Sequence, residues 1–395
     1  MRKTALTILA LLIFISTPLL SQTNECEQAY VKAMTAQTND EKARLLKEWL
    51  RTCAGKGNQY EKYAYSELCL IPYNGKTVKE AIDYGEKAIQ IGGQDDFTKC
   101  RVLSVLAGVY VQTGQNLGKV KNYALQVIQI GEKNRTEENS PENSATWGKL
   151  IGAAYYTHAL ALEKERDPRG ALESYIKAYE HLKNPQIAND LKKVGKHLYD
   201  FKFYKEAEKA FKVTAQAIQD YPSIYFYAAS LHRNGKKEEA LTQYKLAYSK
   251  QKSGDAAYNI GILLAKNAEK DASVVDEAIR YLLEASMLSP SKSKQAMQTA
   301  EHLYFNIKDS QYNAKVKELQ KKTQELQELT EDYNKRFGDK EDDKLSETDK
   351  RIANVMLKDI DELQESIKKI QEDQKNSLDK FNQLIADAKR RLGAR

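Results

Sequence analysis

Small and apolar residues recur at fixed offsets through the middle of the chain, and their spacing alternates between one helix face and the next. Ala159 is followed by Ala171, Tyr175 and Ala178; the same offsets then give Gly195, Ala207, Phe211 and Thr214, and again Ala228, Ala240, Tyr244 and Ala247. A fourth unit keeps Ala278, Leu282, Ala285 and Pro290, with Gly261 displaced upstream by an insertion around Asn267 to Val274. Each unit reads as helix, turn, helix, with the small residues where the two helices cross. Two looser units precede these. One, from about Asn58 to Ile91, carries Ala81 and Ala88; the other, from about Asp96 to Ile130, carries Gly108, Tyr110 and Gly114. The polar stretch Glu132 to Asn143, which contains Pro141, reads as a long exposed loop between them and the regular units. Upstream, helices from about Glu25 to Ala36 and from about Glu41 to Cys53 should form an antiparallel pair turning at Asn39 and Asp40.

After Pro290 the pattern changes to a heptad seam. Val316, Leu319, Thr323, Leu326, Thr330, Tyr333 and Phe337 follow one another in steps of three and four, and polar residues Gly338 to Lys344 interrupt them. A second seam runs through Met356, Ile360, Leu363, Ile367 and Ile370, passes Gln374 and Ser377, and continues to Phe381, Leu384 and Ala388. Two seams across a short turn imply an antiparallel hairpin. A turn centred near Glu341 places position 310 opposite 372, so the second helix outruns the first. Its last apolar positions must dock elsewhere, either on the repeats or on another chain, because an amphipathic helix without a partner is only marginally stable.

The recurring unit resembles the tetratricopeptide repeat, whose period is about 34 residues, and the resemblance covers roughly Gln59 to Pro290. It implies an all-α, superhelical solenoid of helix-turn-helix units, followed here by the C-terminal antiparallel coiled-coil hairpin. It also implies a binding groove lined by the first helix of each unit. The fifth position of that helix holds Tyr156, Lys192, Tyr225 and Tyr258, with Lys196, Tyr199, His232 and Asn259 nearby on the same face. Aromatic anchors between basic groups suit a protein or peptide partner with apolar and acidic features. The Lys and Asn pair with which chaperone-binding members grip a carboxylate is not reproduced, since Lys192 is followed four residues later by Lys196. The alternative is that these tyrosines are half-buried packing in a chain with 24 of them.

Composition agrees with helix and excludes little else: 395 residues, 41% apolar and 30% charged, suffice for a sizeable core. The net charge of +7 is spread among interspersed acids and bases, too mild for a nucleic-acid partner. Arg2, Lys3, the apolar run Ala5 to Ile15 and the breaker Pro18 read as a signal peptide over 1–21, with cleavage near Ser21. Export to the periplasm or cell envelope, or secretion, follows, and no further membrane-spanning stretch occurs. The remaining divisions are an N-terminal hairpin at 22–56, the solenoid at 57–305 and the C-terminal hairpin at 306–395.

In an oxidising compartment the four cysteines become informative. Cys26 and Cys53 are symmetric about the N-terminal turn and should be bridged, the alternative being two unconnected helix-end thiols. Cys69 and Cys100 fall at opposite ends of neighbouring helices, and their pairing stays open. No catalytic, metal or cofactor pattern emerges. Gly75-Lys76-Thr77 lacks the earlier glycine of a phosphate loop, position 70 being Leu, and Thr77 with Glu80 reads as a helix capping box. The five histidines, His158, His181, His197, His232 and His302, are scattered without ligand spacing. The functional expectation is a non-enzymatic scaffold in the bacterial envelope that holds a protein or peptide in the groove. The alternative is a structural protein that forms homo-oligomers through its coiled coil, with the repeats as passive support.

Overall fold

The computed structural model describes residues 25–137, 141–268, 270–338, 340 and 345–393. The signal-peptide reading and its cleavage site lie outside them. Among the described residues every regular element is a helix. None is long and apolar enough to cross a membrane. Helices α1 (25–34) to α10 belong to a compact unit ending at Ile218, and α11 to α17 belong to a second beginning at Gln219.

The first unit opens with α1 and α2 (Asn39–Cys53), whose N-cap Thr38 accepts from the Glu41 amide. Tyr30 meets Trp49 edge-on at 5.8 Å, and the Trp49 indole donates to the Cys26 carbonyl at 2.7 Å. Cys26 and Cys53 are joined by a disulfide across this pair, with 5.8 Å between their Cα atoms. The loop it closes spans 27 residues, so converting both cysteines to serine should cost about 3 kcal/mol in the chain-entropy account. A denaturant midpoint unchanged between the two proteins would refute that figure.

Four further pairs follow: α3 (Glu61–Leu70) with α4 (Val78–Ile91), α5 (Asp96–Thr113) with α6 (Leu117–Glu137), α7 (Pro141–Lys164) with α8 (Pro168–Leu182), and α9 (Pro185–Asp200) with α10 (Tyr204–Ala217). Within this unit α4 also packs on α5, α6 on α7 and α8 on α9. The crossings are built as their spacing predicts. Ala159, Ala171, Tyr175 and Ala178 are fully buried, as are Ala207, Phe211 and Thr214. A Cβ on Gly195 would stand 2.9 Å from that of Ala210 and 3.3 Å from the Phe211 ring, so only glycine lets α9 and α10 approach this closely.

The looser units conform better than their sequence suggests. Cys69, Ala81, Gly85 and Ala88 repeat the same offsets, and Cys69, Ala81 and Ala88 are buried. A Cβ on Gly85 would meet Leu106 at 2.7 Å and the Cys69 sulfur at 3.0 Å, so glycine stands where other units carry an aromatic ring. Cys69 is thus the small residue of a helix crossing. Gly108 faces open space, whereas Gly114 caps α5 in the left-handed conformation at φ 69°. Thr77 and Glu80 form the reciprocal capping box, and the Lys76 ammonium donates to the carbonyls of Cys69 and Ile71, closing the end of α3.

Where a long loop is expected from Glu132 to Asn143, the described residues of that stretch are helical, and 138–140 lie outside the described residues. α6 continues to Glu137, supported by an Arg135–Glu132 ion pair and by Asn134, which donates to the Ile130 carbonyl and to Asp96. α7 begins at Pro141, because the first turn of a helix tolerates a residue without an N–H. The polar composition marked the solvent-facing ends of two helices.

In the second unit, α11 (Tyr221–Arg233) pairs with α12 (Lys237–Lys250), and α13 (Gly254–Ala268) pairs with α14 (Val275–Leu288) across a short 3-10 turn at Ala272–Val274. Ala228, Ala240, Tyr244, Ala247, Ala278, Leu282 and Ala285 are buried at the crossings. α15 (Ser293–His302) runs into a π-helical turn, Leu303–Lys308, before α16 (Tyr312–Phe337) and the 45-residue α17 (Glu347–Arg391) fold into a hairpin. Lys315 pairs with Asp373 at 2.8 Å and the Ser377 hydroxyl donates to Asp309. Position 310 therefore lies near 377 rather than 372, because Ser346 caps α17 and carries the turn beyond Glu341.

Candidate functional site

The first helix of each pair is amphipathic: its small-residue face crosses its partner, and the opposite flank carries larger, half-buried side chains. Tyr156, Lys192, Lys196 and Tyr199 occupy that flank on α7 and α9 of the first unit; Tyr225, His232, Tyr258 and Asn259 occupy it on α11 and α13 of the second. All eight are half-buried.

In the first unit the flank is joined by a polar staple. The Tyr156 hydroxyl donates to Asp190 at 2.9 Å, bridging α7 to α9, and its ring packs edge-on against Tyr175. Burial, then the bond to Asp190, pushes the Tyr156 hydroxyl up to about 12. Burial works against ionisation of Asp190, but hydrogen bonds from Lys193, Tyr156 and Gln186 outweigh it and hold the carboxyl below its usual range. Lys196 reaches along its own helix to Asp200, while the Tyr199 ring meets Tyr204 edge-on.

The second unit repeats the device with different chemistry. The Asn259 amide donates to the Tyr225 hydroxyl at 3.3 Å, joining α13 to α11, and Tyr221 donates to Ser253 at 2.7 Å. Tyr225 lies between Tyr221 and Tyr244, with centroids 5.5 and 5.6 Å away. His232 stands edge-on to Tyr244, and burial, reinforced by Lys266, Arg233 and Lys237, lowers its pKa so that it is neutral at pH 7. Tyr258 lies under the Lys292 ammonium, 5.3 Å from its ring centre. Tyr156 and Tyr225 thus serve two purposes: each hydroxyl joins successive first helices, and each ring is only half-buried.

The sequence reading missed Asp190, Ser253 and Lys292, which complete these flanks. Their spacing offers a signal in retrospect, since Tyr156 to Asp190, Tyr221 to Ser253 and Tyr225 to Asn259 each span about one repeat.

His158 Nδ1 lies 2.9 Å from the Ser174 hydroxyl, the pairing of a base with a nucleophile. Ser174 is buried in the middle of α8, where its backbone N–H groups belong to the helix ladder, so no donors are left to hold a developing oxyanion. Cys69 and Cys100 are free and buried, and burial pushes their thiols up to about 11 and about 12, far from the thiolate a nucleophile needs. Among the described residues no group of three or more His, Cys, Asp and Glu side chains is arranged to hold a metal ion.

No family model matches the sequence, and no curated protein sequence is similar to it. Among solved structures the chain is similar to YrrB, described as a TPR protein with an unusual peptide-binding site, at 16% identity over 55% of this chain and 96% of that one, with a TM-score of 0.32. It is similar to a tetratricopeptide repeat protein from Parabacteroides merdae at 14% identity over 71% and 99%, with a TM-score of 0.34. The TPR2AB domain of yeast Sti1, solved in complex with pHSP90, matches at 15% identity over 61% and 98%, with a TM-score of 0.26. The likeness is loose at these scores, and the repeat architecture rests on the packing of this chain's own helices.

Proposed function

We propose that this chain, an all-α protein of tetratricopeptide-like repeats, is a non-enzymatic scaffold of the periplasm or bacterial envelope that holds partner proteins on the first-helix flanks of its repeats. The observation that carries the reading is the set of half-buried rings and basic groups on those flanks: Tyr156 and Lys192 in one unit, and in the other Tyr225 and, beneath the Lys292 ammonium, Tyr258. Rigid aromatic surface loses little side-chain entropy on binding, and neighbouring ammonium groups favour a segment that mixes apolar and acidic residues. The Cys26–Cys53 disulfide and the N-terminal sequence pattern support an exported location.

The test is recovery of partners from an envelope extract by the full-length protein and by a variant carrying Tyr225→Ala and Lys192→Glu. Each substitution at a central contact should weaken binding about tenfold or more, so specific partners should be lost. Unchanged recovery would instead favour the second reading, in which the C-terminal hairpin makes the main contact and the repeats support it. That reading draws on the extent of α16 and α17, whose outward faces are solvent-exposed over most of their length.

A further inference from the structure

α14 turns one face toward the end of α17. Positions 279, 280 and 283 lie three, four and seven residues after 276, the spacing of a single helix face. With the π-helical turn and the last turns of α17, this face encloses a cleft of about 370 Å³, within the range of small-molecule sites. The floor is apolar: Ile279 and Leu283 are buried there, and Leu384 of α17 is half-buried. The rim is cationic, formed by Arg280, Lys308 and Arg391. The docked tail of α17 therefore leaves room beside its own contacts.

Charges around this rim do not cancel. Lys308 pairs with Asp276, and the Arg391 Nε meets Glu284 at 3.0 Å. Glu277 is taken by Lys245, also at 3.0 Å. Arg280 is left 3.5 Å from Glu277 and 3.8 Å from Glu284, longer than a charge-assisted hydrogen bond, while its guanidinium is held 4.0 Å from the centre of the Tyr281 ring. Four cations thus face three carboxylates, and the least closely matched of them lines the cleft. We infer that the cleft binds a small aliphatic monocarboxylate, its carboxylate on the Arg280 guanidinium and its chain on Ile279, Leu283 and Leu384. A planar guanidinium takes a carboxylate through parallel hydrogen bonds. An excess of one positive charge suits a monoanion, whereas a dianion such as a phosphate monoester meets repulsion from Asp276, Glu277 and Glu284. The ligand touches α14 and α17 at once, so its binding stabilises the docked tail.

None of these residues belongs to the partner-binding flanks of the repeats, so the inference survives or fails independently of that reading. Calorimetric titration of the full-length protein with octanoate, kept below micelle-forming concentrations, should show one site per chain. Octanol and octyltrimethylammonium, which share the aliphatic chain but not the anion, should bind about tenfold more weakly or worse, and so should octyl phosphate. Arg280→Gln should weaken octanoate binding about tenfold, with helix content unchanged by circular dichroism. Leu384→Trp, which fills the floor and leaves every rim charge in place, should abolish it. Octanoate should raise the melting temperature of the unaltered protein and leave that of Leu384→Trp where it stands. A photoreactive diazirine analogue of octanoate should label α14 and α17 at the cleft, read by peptide mapping of the unaltered protein. Tighter binding of N-acetyl-leucine than of octanoate would support the same site and assign the carboxylate to the end of a peptide chain. The inference is overturned by the absence of saturable octanoate binding, by binding unchanged in both variants, by octanol or octyl phosphate binding as tightly, or by label spread away from the cleft.

Discussion

Ala240→Trp is expected to cost the second unit about 3 kcal/mol or more, whereas Lys237→Ala, one turn away on the same helix, should stay within a few tenths. Ala240 is fully buried where α12 crosses α11, among Ala228, Tyr244 and Ala247, which are themselves buried. An indole placed there requires backbone movement, because the close approach of the helices depends on the absence of side-chain volume. Repeats lean on their neighbours, so the loss should spread into α13 and α14 rather than stay in one pair. Thermal unfolding followed by circular dichroism separates the outcomes. Equal melting temperatures for the two variants would show that the crossing lies elsewhere and that the repeat register is wrong.

Removal of the chain after Asn376 is the second change with a large expected effect. The last turns of α17 lie against α14 and the π-helical turn. There the Phe381 ring sits 5.1 Å from Tyr304 and 5.3 Å from Phe305, and Ala388 is fully buried. The carboxylate of Glu284, only 2% exposed, accepts from the Tyr248 hydroxyl at 2.7 Å and from the Arg391 guanidinium at 3.0 Å, with Arg280 3.8 Å away. Lys252 donates to the Arg391 carbonyl and anchors the same helix end. Truncation exposes the Phe381 site and takes one charged partner from a buried carboxylate, losses of about 3 kcal/mol and about 2 kcal/mol when taken separately. The denaturant midpoint of the second unit should fall accordingly, and Phe381→Ala should reproduce most of the fall. If neither variant shifts it, the tail contributes nothing to holding the repeats together.

The covering of that tail shows where sequence reasoning stops. The stripe Phe381, Leu384 and Ala388 states that something must cover it, and the mismatch in helix length states that α16 does not. Whether the cover is the repeats or another chain depends on direction in space, which no spacing encodes. The π-helical turn at Leu303–Lys308 settles it by presenting Tyr304 and Phe305 to Phe381. One extra residue in a helical turn leaves no mark on a hydrophobic pattern. The missed last turn of α6 and first turn of α7 have a similar origin: polarity reports exposure, and an exposed helix end has the composition of a loop.

The sequence by itself determined the helical class, the repeat offsets and the crossing residues, because close helix packing admits only small side chains and so writes itself into the chain at a fixed period. It also marked Tyr156, Tyr225, Tyr258 and their basic neighbours as flank residues. Only the tertiary structure decided that two of those hydroxyls are spent on Asp190 and Asn259, that Cys69 is a crossing residue, and that Glu284 receives the end of α17. The physical reason is one of range. Periodicity fixes which face of a helix is apolar, a local property, while hydrogen bonds and ion pairs join residues from 32 to 139 positions apart, whose meeting depends on the rotation and tilt of whole helices.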